Sequence, residues 1–346
     1  MGNTGLLVSE YCLGSMTWGE GTSETEGHEQ LDMSLAHGIN FVDTAEMYPT
    51  NPMRRETVGK TEEILGTWLK KHNKRDELII ATKITGSGSK TVRNGGRITG
   101  NQIIKSVEES LLRLQTDYID LYQLHWPNRG SYHFRQYWKF DPTKQSTSEM
   151  NEHVNEVMEV LSNLIEQGKI RAVGLSNESA WGAMKFINLA KQKNFSSIAS
   201  IQNEYSLLCR LFDTDLAELC HHENLKLLSF SPLAAGLLTG KYQNNKIPKG
   251  SRLDVTQDTN PGLSGRIGPN TFSAINGYLQ IAKTHQVDPV HMALAFCKSR
   301  PFMGSVIFGA TRNDQLQHIL DGIDLTLTEE NLDDINKSYR QLPMPI

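Results

Sequence analysis

The sequence predicts an α/β protein folded as one (β/α)8 (TIM) barrel spanning residues 1–346, with long loops after strands four and seven and a C-terminal helix. Three observations predict it. Short β-rich apolar runs alternate with longer amphipathic segments. The runs are mostly apolar on both faces, as parallel strands covered by helices must be. Eight such runs follow one another with no break in composition. Repeated strand-then-helix units imply a parallel sheet, because each crossover returns the chain to the same end. Eight units favour a closed barrel over two doubly wound domains, which remain the alternative.

Taken in order, "YCLGSM" precedes a helical stretch from Glu24 to Ala36, and "INFVDT" precedes one from Glu56 to Lys71. "LIIATK" leads into "NQIIKSVEESLLRLQ", whose Ile103, Val107, Leu111 and Leu114 recur at helical spacing. "DYIDLYQLH" is followed by a helix from Glu149 to Gln167, and "IRAVGLS" by "SAWGAMKFINLAKQK". "IASIQN" leads into "DTDLAELCHHEN", and "LKLLSFS" and "GSVIFGA" complete the set. Gly38 and Gly168 stand where helices end in a left-handed residue. Residues 127–148 and 232–270 are long connections of the kind that form lids or binding loops. Both leave a strand's carboxyl end, the face on which barrel enzymes build their sites.

Composition narrows the function. A net charge of −4 gives no general attraction to nucleic acid or to an anionic membrane. No run approaches the roughly 18 apolar residues of a membrane span. "MGNTGLLVSEYCLG" lacks a basic region followed by a long apolar stretch, and Leu6 stands where a myristoylation motif wants Ser or Thr, so a cytoplasmic protein is expected. Cys12, Cys209, Cys220 and Cys297 are scattered and read as reduced, buried thiols. No metal is expected: His221 and His222 are adjacent on a helix and diverge, and His28 and His37 have no ligand cluster beside them.

The polar residues at the strand ends carry the chemistry. Asp43 ends strand two, Lys83 strand three and His125 strand four, and Tyr48 follows Asp43 closely. Parallel neighbours lie about 4.8 Å apart, so these ends can converge. Singly, Asp43 reads as a turn former, Lys83 as a solvated rim charge, His125 as a packing residue and Tyr48 as a loop anchor. Acid, base, imidazole and phenol on adjacent strands read better as a site. A phenol has a pKa near 10 and serves as a proton donor, an ammonium beside it eases proton release, and an imidazole can orient a carbonyl oxygen. No side chain here is a hydride source, so a cofactor must supply it.

At these residues the chain resembles the aldo-keto reductase superfamily. "FVDTAEMY" is similar to its strand-two signature, and "ATK" and "LHWP" match its lysine and histidine positions. The likeness extends through "GKIRAVGLSNES", "IQNEYSLLCR" and "SFSPLAAGLLTGKY" to "FGATRNDQL". Among subgroups it is most similar to the bacterial Tas-type proteins, with potassium-channel β-subunits more distant. The resemblance implies an NADP(H)-dependent reductase of small aldehydes or ketones, with Asp43, Tyr48, Lys83 and His125 as the catalytic set.

It implies a cofactor belt as well. Ser15, Met16 and Asp43 would contribute to holding the dinucleotide, and Ser176, Asn177 and Gln202 would hold the nicotinamide carboxamide. Phe230 would stack on the ring. Ser231, Pro232, Leu233, Ala235, Gly236, Leu238 and Lys241 would wrap the pyrophosphate. Gly309, Thr311, Arg312 and Gln315 would close over the adenosine, with Arg312 pairing a 2′-phosphate. Trp18, Tyr48, His125 and Trp126 would form the substrate pocket, joined by Met47 and the loop aromatics Tyr132, Phe134, Tyr137 and Trp138. Arg129, Arg135, Lys139 and Lys144 could attract an anionic substrate.

Two departures from the family pattern stand out. Ile319 occupies the place of a frequent adenine-binding asparagine, and the first strand of a basal hairpin is missing ahead of "MGNTGL". Two other functions compete. One is a nicotinamide-binding sensor akin to channel β-subunits. The other is a Schiff-base lyase using Lys83, which would need a depressed lysine pKa that Asp43 opposes.

Overall fold

Each apolar run forms a strand: β1 (Tyr11–Gly14), β2 (Phe41–Asp43), β3 (Ile79–Ile84), β4 (Ile119–Leu124), β5 (Ile170–Ser176), β6 (Ile198–Glu204), β7 (Lys226–Phe230) and β8 (Met303–Phe308). The computed structural model describes residues 1–346, and in it the strands pair in sequence order into a closed parallel barrel, with β8 returning to β1. The helices between them are α1 (Glu24–Ala36), α2 (Lys60–His72), α3 (Gly100–Leu114), α4 (Thr147–Glu166), α5 (Ala180–Lys193) and α6 (Asp215–His222). Between β7 and β8 come α7 (Arg252–Val255), α8 (Thr271–Thr284) and α9 (Pro289–Lys298), and α10 (Asn313–Leu320) and α11 (Glu329–Gln341) end the chain. No helix is long and apolar enough to cross a membrane.

Local chemistry fixes the boundaries. Ser23 and Glu26 form a reciprocal capping box at the start of α1. Gly38 and Gly168 both take φ 74°, the left-handed turn expected after α1 and α4. The helix read as starting at Glu56 begins instead at Lys60, after a 3-10 turn at Arg55–Thr57.

Strand periodicity decides what reaches the barrel mouth. Cys12, Phe41, Ala81, Leu121, Ala172, Leu228 and Ile307 fill the barrel interior together with Leu6. Their neighbours Leu13, Val42, Ile80, Tyr122, Val173 and Leu227 pack outward into the helix layer. Side chains alternate along a strand, so the residue two places beyond an interior one also points inward. Phe41 is thus followed inside by Asp43, Ala81 by Lys83, and Leu121 by Gln123 and then His125. Leu6, with Met1 and Val8 packed against the same cluster, closes the base of the barrel.

Candidate active site

Lys83 stands at the centre. It is fully buried, and its ammonium reaches Asp43 Oδ2 at 2.6 Å, the Thr44 carbonyl at 2.7 Å and the Tyr48 hydroxyl at 3.5 Å. Three donors meet three oxygens, so the charge is fully accommodated. Asp43 Oδ1 accepts from Gln202 Nε2 at 2.8 Å and from Gln123 Nε2 at 3.3 Å, which ties strands β2, β4 and β6 across the barrel. Burial works to depress the Lys83 pKa, and Asp43 and then Tyr48 outweigh it, leaving the group above its usual value. A Schiff-base nucleophile needs the opposite direction.

Tyr48 faces His125, with ring centroids 5.9 Å apart at an interplanar angle of 76°. Burial pushes the phenol's pKa up, and Lys83 only partly offsets this. The sequence led us to expect a lowered value; desolvation of the phenolate outweighs one ammonium at 3.5 Å. His125 moves the other way. Burial first, and the Lys83 charge second, hold it well below the ordinary histidine range, so the imidazole is neutral at pH 7. Its Nδ1 is buried without a partner.

The loop carrying Tyr48 is held by a residue that sequence reasoning passed over. Glu46 accepts from Arg93 at 2.7 and 2.8 Å, from Ser106 Oγ at 2.6 Å and from the Thr85 amide. Its signal was its place inside "FVDTAEMY". Ser15 donates its hydroxyl to the Asp43 carbonyl at 2.8 Å, and its amide does the same at 3.1 Å. Ser15 therefore positions the backbone of Asp43.

The remaining predicted residues sort by position. Ser176 donates to the Gln202 carbonyl at 2.8 Å, and Asn177 to the His125 carbonyl at 2.9 Å. The other end of the Asn177 amide, Oδ1, is buried and unpartnered. Phe230 ends β7, half-buried, and beyond it Ser231, Ala234, Ala235 and Gly236 all take positive φ in an irregular turn. A Cβ on Gly236 would lie 2.9 Å from Lys241 Nζ, so the ammonium rests against bare backbone. Leu238 is 2% exposed and its side chain belongs to the hydrophobic core. Across the mouth, Thr311 donates through its amide and hydroxyl to Gln315 Oε1 at 3.0 and 2.9 Å. Arg312 is exposed and forms a two-pronged pair with Asp314 at 2.9 Å.

Trp18 is a correction. It is fully buried in the core, and its indole donates to Gln30 Oε1 at 3.0 Å, so it forms no part of a substrate pocket. Alternate burial could not reveal this, because "MTWGE" lies between regular elements. Trp126 does flank the site: its ring lies 4.8 Å from that of His125 and its indole donates to the Ser87 carbonyl at 2.9 Å. A Cβ on Gly86 would come within 2.3 Å of that indole, so glycine makes room for it. Met47 is buried against Ala45 and Val92, with Tyr48 and Trp126 packed on the same cluster.

Of the loop aromatics, Phe134 reaches Trp126, with centroids 6.2 Å apart, while Trp138 is 77% exposed. Tyr132 packs on His133 and Phe140, and Tyr137 donates to the Ile346 carbonyl. The loop cations are also less free than expected. Arg129 pairs with Glu178, and Arg135 with Glu204. A cavity of about 320 Å³ flanks Trp126 and is lined by Arg97, Asn128, Lys144 and His153, among others; neither Tyr48 nor His125 reaches it.

One cation near the mouth escaped the sequence reading. The Arg252 guanidinium of "GSRLDV" makes no hydrogen bond or ion pair, and burial together with Arg266 pulls its pKa down to about 10, with Tyr48 close enough to act on it. Elsewhere, Asp288, His291 and His318 offer ligand atoms within 4.8 Å of one another. Those groups already bond within the protein: Asp288 caps α9 and accepts from His318, and His291 meets the His318 carbonyl.

The tetrad of Asp43, Tyr48, Lys83 and His125 thus gathers at the mouth of one closed parallel barrel. The sequence profile of the Aldo/keto reductase family matches residues 10–340, and the chain belongs to that family. Protein tas of Escherichia coli (strain K12) is 39% identical over 99% of this chain and 97% of its own. Aldo-keto reductase YhdN of Bacillus subtilis is 30% identical over 95% of this chain and 88% of its own. A probable voltage-gated potassium channel subunit beta of Arabidopsis thaliana is 28% identical over 99% and 96% respectively.

Proposed function

We propose that this protein reduces small aldehydes or ketones with NADPH, using Tyr48 as the proton donor. The observation that carries the reading is the fully buried Lys83 ammonium, shared between Asp43 at 2.6 Å and the Tyr48 hydroxyl at 3.5 Å. The residues present fit a nicotinamide dinucleotide. Asn177 Oδ1 is an acceptor without a donor, which suits a carboxamide NH2. Arg252 and Lys241 are cations without a carboxylate partner, which suits phosphate. Ser176 and Gln202 stand beside Asn177, and Phe230 follows at the end of β7. Arg312 would exchange Asp314 for a 2′-phosphate, the basis for preferring NADPH to NADH.

When bound, the reduced nicotinamide supplies a hydride to the carbonyl carbon. The chain's own residues deal with the oxygen. His125, neutral, donates a ring N–H to it and fixes its orientation. Tyr48 transfers its hydroxyl proton to the same oxygen, completing the alcohol. The phenolate left behind is stabilised by Lys83, whose other donors stay anchored on Asp43 and Thr44. Trp126 walls the site on the His125 side.

The test is a panel of carbonyl compounds assayed with NADPH and with NADH, for the parent and for Tyr48→Phe. Turnover in the parent and its loss in the variant are expected. NADPH binding with no oxidation by any carbonyl would overturn a reductase and favour a nucleotide-sensing role.

A further inference from the structure

Glu204 ends β6, in register with Phe230 of β7, and lies outside the tetrad. Its carboxylate is shared between two guanidiniums from different loops. Oε1 accepts from Arg266 Nε at 2.8 Å, and Oε2 accepts from Arg135. Arg135 comes from the connection after β4 (residues 125–146), and Arg266 from the connection after β7 (residues 231–270). All three side chains are at most 8% exposed.

The two loops also touch directly, since Arg135 Nε donates to the Ser264 carbonyl. At this junction both chains are bent into positive φ, at Phe134 (58°) and Arg135 (61°) on one side and Leu263 (47°) and Ser264 (59°) on the other. Non-glycine residues in that region store strain that surrounding contacts must offset. Glu204 supplies such contacts from the rigid barrel.

The junction connects to the cofactor belt. Arg266 donates to Ser231 Oγ at 3.2 Å, and Ser231, at φ 55°, opens the Ser231–Lys241 turn. The near half of the β4 loop has separate anchors: Arg129 on Glu178, Ser131 on the Asn177 carbonyl, and His133 on the Glu178 carbonyl. Its tip, residues 134–140, is tied back to that half by the Gln136 amide on the Tyr132 carbonyl and by Phe134 and Phe140 against Trp126 and Tyr132, and is tied outward by Glu204, the Ser264 carbonyl and the Tyr137–Ile346 contact.

We propose that Glu204 is a positioning residue that pins the tips of the β4 and β7 loops together over the barrel mouth and thereby sets how fast a bound dinucleotide leaves. Two buried guanidiniums around one carboxylate hold only while that carboxylate is charged. Without it they repel one another and seek water. Both tips must then open together, because each is tied to the other and to the same oxygen pair. The release half of the proposal rests on the NADPH reading above; the pinning half does not.

The experiment therefore has two arms, run on the full chain with Glu204→Gln, which keeps the shape and removes the charge, and Glu204→Met, which removes the hydrogen-bonding atoms as well. In the cofactor-free protein, hydrogen exchange followed by mass spectrometry should rise about tenfold or more in residues 134–140 and 256–266 together, with residues 127–133 and the strands unchanged. Loosening of one tip alone, of neither, or of the whole barrel overturns the pin.

In the second arm, stopped-flow fluorescence should show NADPH leaving both variants about tenfold faster, and KM for NADPH should rise. The single-turnover rate at saturating NADPH and its pH profile should stay as in the parent, and Glu204→Asp should recover part of the retention. Unchanged release with loosened tips overturns the gating role. A parent that binds no NADPH would instead remove the cofactor reading, leaving the pin to be judged by hydrogen exchange.

Discussion

The Lys83 ammonium lies 2.6 Å from the Asp43 carboxylate, inside a barrel that leaves the lysine no exposure at all. A buried pair of this kind is nearly neutral as a unit and costly to break. Replacing one partner leaves the other charged, unpaired and away from water, which typically costs about 3–5 kcal/mol.

Lys83→Met should therefore lower stability by about that 3–5 kcal/mol, while Lys83→Met combined with Asp43→Asn should recover a good part of it. Chemical denaturation of the two variants and the parent checks this. A double variant as unstable as the single one would show that the pair is not what holds these strands.

Tyr48→Phe removes the hydroxyl and little volume. Turnover of any accepted carbonyl should fall by about 100- to 10,000-fold, the span expected when a general acid is lost, with NADPH affinity little changed. Single-turnover kinetics beside a binding titration separates the two effects.

The reduction rate should be flat through neutral pH and fall only on the alkaline side. Burial raises the Tyr48 pKa in the free protein, so the phenol keeps its proton well past neutrality and loses it as pH climbs through that raised value. His125 bears on stability with the reverse sense. Burial depresses its folded pKa, so the unfolded chain takes up a proton first as pH falls below about 6.5, and this contribution to stability declines from there downward. A pH–rate profile and denaturation at pH 7 and pH 5 measure these; a rate that rises with pH would exclude Tyr48 as the acid.

Arg252→Met should weaken NADPH binding by about tenfold or more through loss of a charge-assisted contact, with no loss of stability, because the guanidinium has no partner to strand. Fluorescence titration at two salt concentrations reads the effect. Equal affinity in parent and variant would place the phosphates elsewhere.

Trp18→Ala should destabilise the fold by about 3–5 kcal/mol, as loss of a large buried ring does, and leave KM for carbonyl substrates unchanged in the fraction that stays folded. Trp126→Ala should do the reverse, altering substrate KM with a smaller effect on stability.

Much of this was legible in the sequence. Eight strand-then-helix units favour a parallel barrel over an open sheet, and the period of two along each strand carries Asp43, Lys83 and His125 inward at one end. Those are local properties, written in consecutive residues. Gln123 aims into the same layer, yet an amide inside an apolar run gives no chemical signal of its own.

What only the tertiary structure decided depends on groups far apart in the chain. Whether the phenol's pKa rises or falls is a contest between desolvation and one ammonium, and only the packed geometry sets their balance. Trp18 and Trp126 look alike as residues next to strand ends; packing puts one in the core and the other beside His125. The loop arginines read as free charge until the fold supplies Glu178 and Glu204, 49 and 69 positions further along. Spacing along a chain encodes which way a side chain points from its own element. It does not encode which distant carboxylate or wall of atoms will be waiting there.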